Sequence, residues 1–201
     1  MVRVLILFVC MVSMIRSADA KPIAPLEGLE ALRKAFSGIT DFSAEIHQEK
    51  RLTLMKRTLT MSGAVRFRKP DLFYMEIGPP YTSRMLLRDG TIEQVMGNSP
   101  ERSRIFLPPE QGLKRWFSRF STPFTALPEG MGVTADLVGQ LYTVSITPSG
   151  KGQVKELTLV FLEDGTIKKL IISEQNGDRS TMTFLKVLRN TGLSDKDFRL
   201  K

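Results

Sequence analysis

Alternation is the strongest constraint on how this chain folds. From Leu59 to Pro80 it reads LTMSGAVRFRKPDLFYMEIGPP. Leu59, Met61, Val65, Phe67 and Lys69 fall on one side, and Thr58, Thr60, Ser62, Arg66 and Arg68 on the other. That is the period of two of a half-buried strand. Pro70 brings no N–H to a ladder and ends the run. A second strand follows, with Phe73, Met75 and Ile77 on one face, before Gly78-Pro79-Pro80 stops it. Asp89-Gly90, Asp164-Gly165 and Asn176-Gly177 each sit between alternating runs and read as tight hairpin turns. A chain punctuated in this way folds into an antiparallel sheet.

The remaining segments fit the same plan. Lys21 to Ala24 reads as a short leader into a helix that starts at Pro25 and stops at Gly38. Leu29, Leu32 and Phe36, extended by Leu26, give that helix an apolar stripe. Glu27 and Glu30 near its start, with Arg33 and Lys34 near its end, suit the helix dipole. Strands are predicted over Asp41 to Leu54, Arg84 to Leu87, Thr91 to Met96, Arg102 to Leu107, Leu141 to Thr147, Val154 to Leu162, Thr166 to Glu174 and Ser180 to Leu188. Pro108 to Phe120 changes period: Leu113, Trp116, Phe117 and Phe120 stand at helical spacing. A short third helix is expected near Val133 to Val138. The sum is an α+β, mostly β protein. It has an incomplete, curved antiparallel barrel of about nine to eleven strands, with two or three helices over an apolar crevice.

The first 20 residues are of another kind. Met1-Val2-Arg3 gives a positive start, Val4 to Ile15 is almost wholly apolar, and Ala18-Asp19-Ala20 has the A-x-A form of a cleavage site. This reads as a secretory signal peptide at 1–20, cleaved after Ala20, followed by one domain over 21–201. An uncleaved anchor is the alternative, but the apolar run is too short for an ordinary span. Cys10, the single cysteine, falls within the leader, so the mature chain forms no disulfide. The formal charge is +8. Its lysines and arginines are scattered and show no stacking pattern of a nucleic-acid module, so most read as a solvated face.

Catalytic signatures are lacking. His47, the single histidine, reads as a strand surface residue, with Glu45 and Glu49 as plausible ion-pair partners. The sequence has no nucleophile elbow, P-loop or dinucleotide fingerprint. No enzyme activity, metal or cofactor is expected. Ten methionines and twelve phenylalanines stand against three tyrosines. Adaptable thioethers and rings without a polar handle suit a cavity for acyl chains, and equally suit a plain core.

Arg68-Lys69-Pro70-Asp71-Leu72-Phe73, following a strand that contains Gly63, resembles the signature of the LolA family of periplasmic lipoprotein carriers. Other stretches are similar in order and spacing: Asp41 to Gln48, Leu87-Arg88-Asp89-Gly90, Thr122-Pro123-Phe124, Leu157 to Ile167, and Glu174 to Ser180. The resemblance implies a half-barrel with a helical lid and an apolar cavity for the acyl chains of lipoproteins. The cavity residues it implies are Leu32, Phe36, Phe42, Ile46, Val65 and Phe67, together with Phe73, Met75, Ile77, Met85 and Leu87. Phe124 and Leu127 match lid positions. Lys69 matches a basic residue, usually arginine, that locks the lid; lysine has no planar fork, so a looser lock is expected.

The partners implied are acylated lipoproteins as cargo, an inner-membrane ABC-type release complex as donor and an outer-membrane lipoprotein receptor as acceptor. The protein is expected to be a monomer in the periplasm, with no nucleic acid bound. The chain stops at Lys201, soon after Phe198-Arg199-Leu200, where the family carries a longer C-terminal loop and strand. That departure keeps two alternatives open: a carrier of another amphiphile, such as a glycolipid or phospholipid, and a lipoprotein-sensing domain.

Overall fold

The structure is a computed structural model that describes residues 20–97, 99, 101–107, 114, 118, 121–148 and 152–200. The chain opens with a short strand, β1 (Lys21–Ile23), and then the helix α1 (Pro25–Ser37). A first meander follows: β2 (Asp41–Leu52), β3 (Arg57–Arg68), β4 (Leu72–Ile77), β5 (Ser83–Arg88), β6 (Thr91–Met96) and β7 (Arg102–Phe106). A second comprises β8 (Gly132–Val138), β9 (Leu141–Thr147), β10 (Val154–Leu162), β11 (Ile167–Glu174) and β12 (Arg179–Arg189). A short 3-10 helix, Asp195–Asp197, lies near the C-terminus.

All twelve strands belong to one sheet, in the order β1-β8-β9-β10-β11-β12-β2-β3-β4-β5-β6-β7. Every pairing is antiparallel. The two meanders join where β12 pairs with β2, from Arg179 opposite Arg51 to Arg189 opposite Phe42. The alternation in β3 holds: Val65 and Phe67 are buried, while Thr58, Thr60 and Ser62 are exposed. Asp89 and Gly90 both take positive φ, 50° and 72°, as a type I′ turn requires.

Four expectations change. The sheet has twelve strands rather than nine to eleven, because two segments not expected to be strands, Lys21–Ile23 and Gly132–Val138, pair with each other in it. The segment Val133 to Val138 is strand, not helix: Val133 and Ala135 face the core, and Gly139 turns the chain into β9. β2 stops at Leu52, and Leu54 lies exposed in the following turn. One α-helix is present in full among the described residues. The helix predicted over 108–120 lies outside them except for Lys114 and Ser118, both helical, and the predicted signal peptide lies outside them except for Ala20. Among the described residues no helix is long and apolar enough to cross a membrane.

α1 begins with Pro25 in its first turn, carries Glu27 there and Lys34 in the last, and is followed by Gly38 as C-cap. It buries Gly28, Leu29, Leu32 and Ala35 against Val133, Ala135, Val144, Ile146 and Phe161. Full burial of a side chain such as Leu29 or Val144 contributes about 1.5–3 kcal/mol. The helix sits so close to β8 that a Cβ on Gly28 would lie 2.2 Å from the Ala135 Cβ. A second core on the same, inner face joins Phe42, Ala44, Ile46, Val65, Phe67, Ile77, Ile167 and Phe184.

The outer face of β4 and β5 is also covered. Leu72, Tyr74 and Leu86 pack against Phe198 and Leu200 of the C-terminal tail. The tail is held from two sides. The buried Asp41 carboxylate accepts from the backbone N–H groups of Thr191 (2.9 Å) and Gly192 (3.1 Å). Arg68 donates to the Leu193 carbonyl at 3.0 Å, pairs with Asp195 and lies 5.5 Å from the Phe198 ring centre.

Candidate functional site

Between the last turns of α1 and the β3–β4 corner lies a cavity of about 710 Å³. Its apolar wall comes from both inner cores. Leu32 and Phe36 belong to α1, Phe42 to β2, Phe67 to β3, Phe73 to β4, Leu159 to β10 and Ile167 to β11. Phe42 and Phe67 pair across the strands, ring centres 5.4 Å apart, and Phe36 meets Phe161 edge-on at 5.8 Å. Strand alternation carries these rings inward, and the i, i+4 spacing of Leu32 and Phe36 places both on the helix face above.

The mouth is polar. Lys69 stands at the corner where β3 ends, and its Nζ donates to the carbonyls of Phe36 (2.9 Å) and Ser37 (3.2 Å). These belong to the last turn of α1, whose carbonyls lack partners within the helix and carry its negative dipole end. Burial lowers the Lys69 ammonium from its ordinary value of 10.5. Arg33 also lines the cavity and grips Glu30 with two bonds, at 2.6 and 2.8 Å. The Arg33 bond is the main reason the Glu30 carboxyl titrates below its ordinary range, and Glu30 also accepts from the Phe124 N–H at 3.3 Å. That contact draws the segment after residue 121 onto α1.

The residues singled out from the sequence fall in several places. Leu32, Phe36, Phe42, Phe67, Phe73 and Lys69 line the cavity. Ile46, Val65 and Ile77 lie in the packed core behind the wall, with Met75 against them. Met85 and Leu87 stand opposite Met75 and Phe73 one strand further out, off the cavity wall. Strand direction alone does not say which inward residues another side chain covers. Phe124 packs on the α1–β8 core, and Leu127 is exposed. Leu159 and Ile167 line the cavity without being among the residues expected there. Both lie in alternating strands beside the Asp164-Gly165 turn, and that alternation was their available signal. Glu45 pairs with Lys186 at 2.8 Å, rather than with His47.

An open antiparallel sheet carrying α1 over an inner-face pocket, apolar within and basic at its mouth, is the class of protein these features define. The family described as Outer membrane lipoprotein carrier protein LolA matches residues 37–201, and the chain belongs to that family. No curated protein matches the chain. Among solved structures it is similar in fold to a LolA superfamily protein from Nitrosomonas europaea, with 8% identity over 89% of this chain and 98% of that one and a TM-score of 0.47. A DUF1329 family protein from Desulfovibrio piger is 12% identical over 88% and 98%, with a TM-score of 0.48. The Mycobacterium tuberculosis lipoprotein LppX is 14% identical over 84% and 96%, with a TM-score of 0.43.

Proposed function

We propose that this chain is a periplasmic carrier that shelters the acyl chains of lipoproteins and conveys them from the inner to the outer membrane, without catalysis. The observation that supports this most is the cavity of about 710 Å³, walled by Leu32, Phe36, Phe42, Phe67 and Phe73 under α1. The physical need is large. Each exposed CH₂ costs about 0.8 kcal/mol, so ten cost roughly 8 kcal/mol, and a bare lipid anchor does not cross water. In this reading residues 1–20 direct export and are removed, and 21–201 act as one domain. An inner-membrane ABC-type complex loads the pocket and an outer-membrane receptor empties it. Lys69, donating to the carbonyls of Phe36 and Ser37, holds α1 over the cavity until handover.

The test is to purify the mature protein from periplasm and weigh its complexes by native mass spectrometry. A one-to-one complex with a triacylated lipoprotein is expected. An empty protein that also fails to release lipoproteins from spheroplasts, with their release complex present, overturns the reading.

A further inference from the structure

The turn between β2 and β3 holds two apolar side chains out in water, at the opposite end of β3 from the cavity mouth. Leu54, 88% exposed, is the most open large hydrophobic among the described residues, and its neighbour Met55 is 67% exposed. One exposed leucine is ordinary, but this pair sits at an apex with a charge pattern of its own. Arg51, Lys56, Arg57 and, from the start of β12, Arg179 are all exposed around it. Among the described residues none of these four makes an ion pair. Arg51 and Arg179 stand directly opposite each other across the β12–β2 pairing, and like charges so placed weaken a sheet. Over 49–57 and 174–179 five cations, Lys50 included, stand against three carboxylates, Glu49, Glu174 and Asp178. Asp178 is spent on the turn itself. Its carboxylate accepts from the Thr53 N–H at 2.8 Å and from the Asn176 amide at 3.1 Å, while the Thr53 hydroxyl donates to the Gly177 carbonyl at 2.6 Å. These bonds brace the apex against the β11–β12 turn.

We propose that this turn docks the protein on an anionic lipid bilayer, with Leu54 and Met55 entering among the headgroups and Arg51, Lys56, Arg57 and Arg179 meeting the lipid phosphates. A bilayer offers the matching order, phosphates outermost and hydrocarbon beneath. The apolar pair gains by leaving water, and each basic side chain near a negative surface adds attraction that salt screens. Two side chains and a few charges make a weak, reversible hold, not an anchor. The docking does not depend on what the cavity contains. The twelve residues of β3 span roughly 40 Å, so a chain held by this turn keeps Lys69 and the mouth away from the bilayer.

The experiment sediments the mature protein with two kinds of vesicle, phosphatidylcholine alone and an equimolar mixture with phosphatidylglycerol. Binding to the mixed vesicles is expected to be about tenfold tighter, and to weaken as salt is added. Leu54→Ser with Met55→Ser should weaken it about tenfold, with the unfolding midpoint unchanged because both side chains are exposed. Lys56→Gln with Arg57→Gln should bring the preference for the mixed vesicles to within about threefold. Leu185→Ser with Leu188→Ser alters another exposed apolar pair, on β12, and leaves binding as it was. Binding to neither vesicle overturns the proposal. Equal binding to both removes the role of the cations. Binding that survives both pairs of changes at the turn places the contact elsewhere and overturns this assignment. None of these outcomes bears on the acyl-chain reading of the cavity, which its own test decides.

Discussion

Arg68 and Lys69 are neighbours that anchor opposite faces of one corner, and the two faces are finished differently. On the outer face the protein covers its own apolar strip. Phe198 is 1% exposed against Leu72, Tyr74 and Leu86, and Arg68 pins the tail from above. Burial, helped by the Glu76 hydrogen bond, pushes the Tyr74 hydroxyl up to about 12. On the inner face equally apolar rings border a cavity, spanned by two bonds from Lys69 to a helix end. A face closed by covalently attached chain contributes stability at all times. On the carrier reading proposed above, the open face receives an acyl chain that arrives and leaves, and its cover is held by contacts that break easily.

That contrast can be broken most severely on the outer face. Phe198→Ala leaves a hole in a closed core and should cost about 3–5 kcal/mol, read from urea unfolding. A cost under about 1 kcal/mol would mean the tail does not secure this face. Next in size is Lys69→Glu, which replaces two donated bonds with a carboxylate facing carbonyl oxygens. Stopped-flow release of a bound fluorescent fatty acid should speed up roughly tenfold. Unchanged binding and release would strip Lys69 of its locking role. Phe73→Ala trims a half-buried wall. It should weaken acyl affinity about fivefold with little change in the unfolding midpoint, the reverse of Phe198→Ala.

The smallest effect is on pH. The hydrogen bond and charge of Arg68 hold the Asp195 carboxyl below its ordinary 3.8. A lowered folded-state value means that this stabilisation is complete above 3.8 and is lost as pH falls through the lowered value. Amide exchange in the tail should therefore rise, relative to α1, as pH falls below about 4. Equal change in both would unlink the tail from this pair.

Most strands were legible because alternation and turn chemistry are local. Thr91 to Met96, Leu141 to Thr147 and Val154 to Leu162 were bounded residue for residue. What escaped depended on distant partners. Lys21–Ile23 is a strand because Leu137, Asp136 and Ala135 lie beside it, more than a hundred positions on. Val133 to Val138 reads as helix from the sequence because its flanking glycines hide a seven-residue strand that both neighbours stabilise. The outer-face core is not legible from local pattern, because Leu72, Tyr74 and Leu86 gain their cover from Phe198 and Leu200. At the site, the sequence marked which rings point inward. Separating cavity wall from closed core depended on where α1 stops, which is a matter of three-dimensional packing.

The seam between β12 and β2 sets an order of events in time. Each meander is built from neighbouring strands, so its hairpins close over short loops and can form within microseconds to milliseconds. Ile46 meets Phe184 only after the intervening chain has been drawn together, and that loop closure carries the largest entropic cost in the sheet. The β2 and β12 amides that bond across the seam should gain protection last in a pulse-labelling experiment; protection gained together with the hairpins would refute this order. Until the seam closes, two half-sheets each expose an unpaired edge and part of the future cavity wall. In that interval the chain is most open to aggregation.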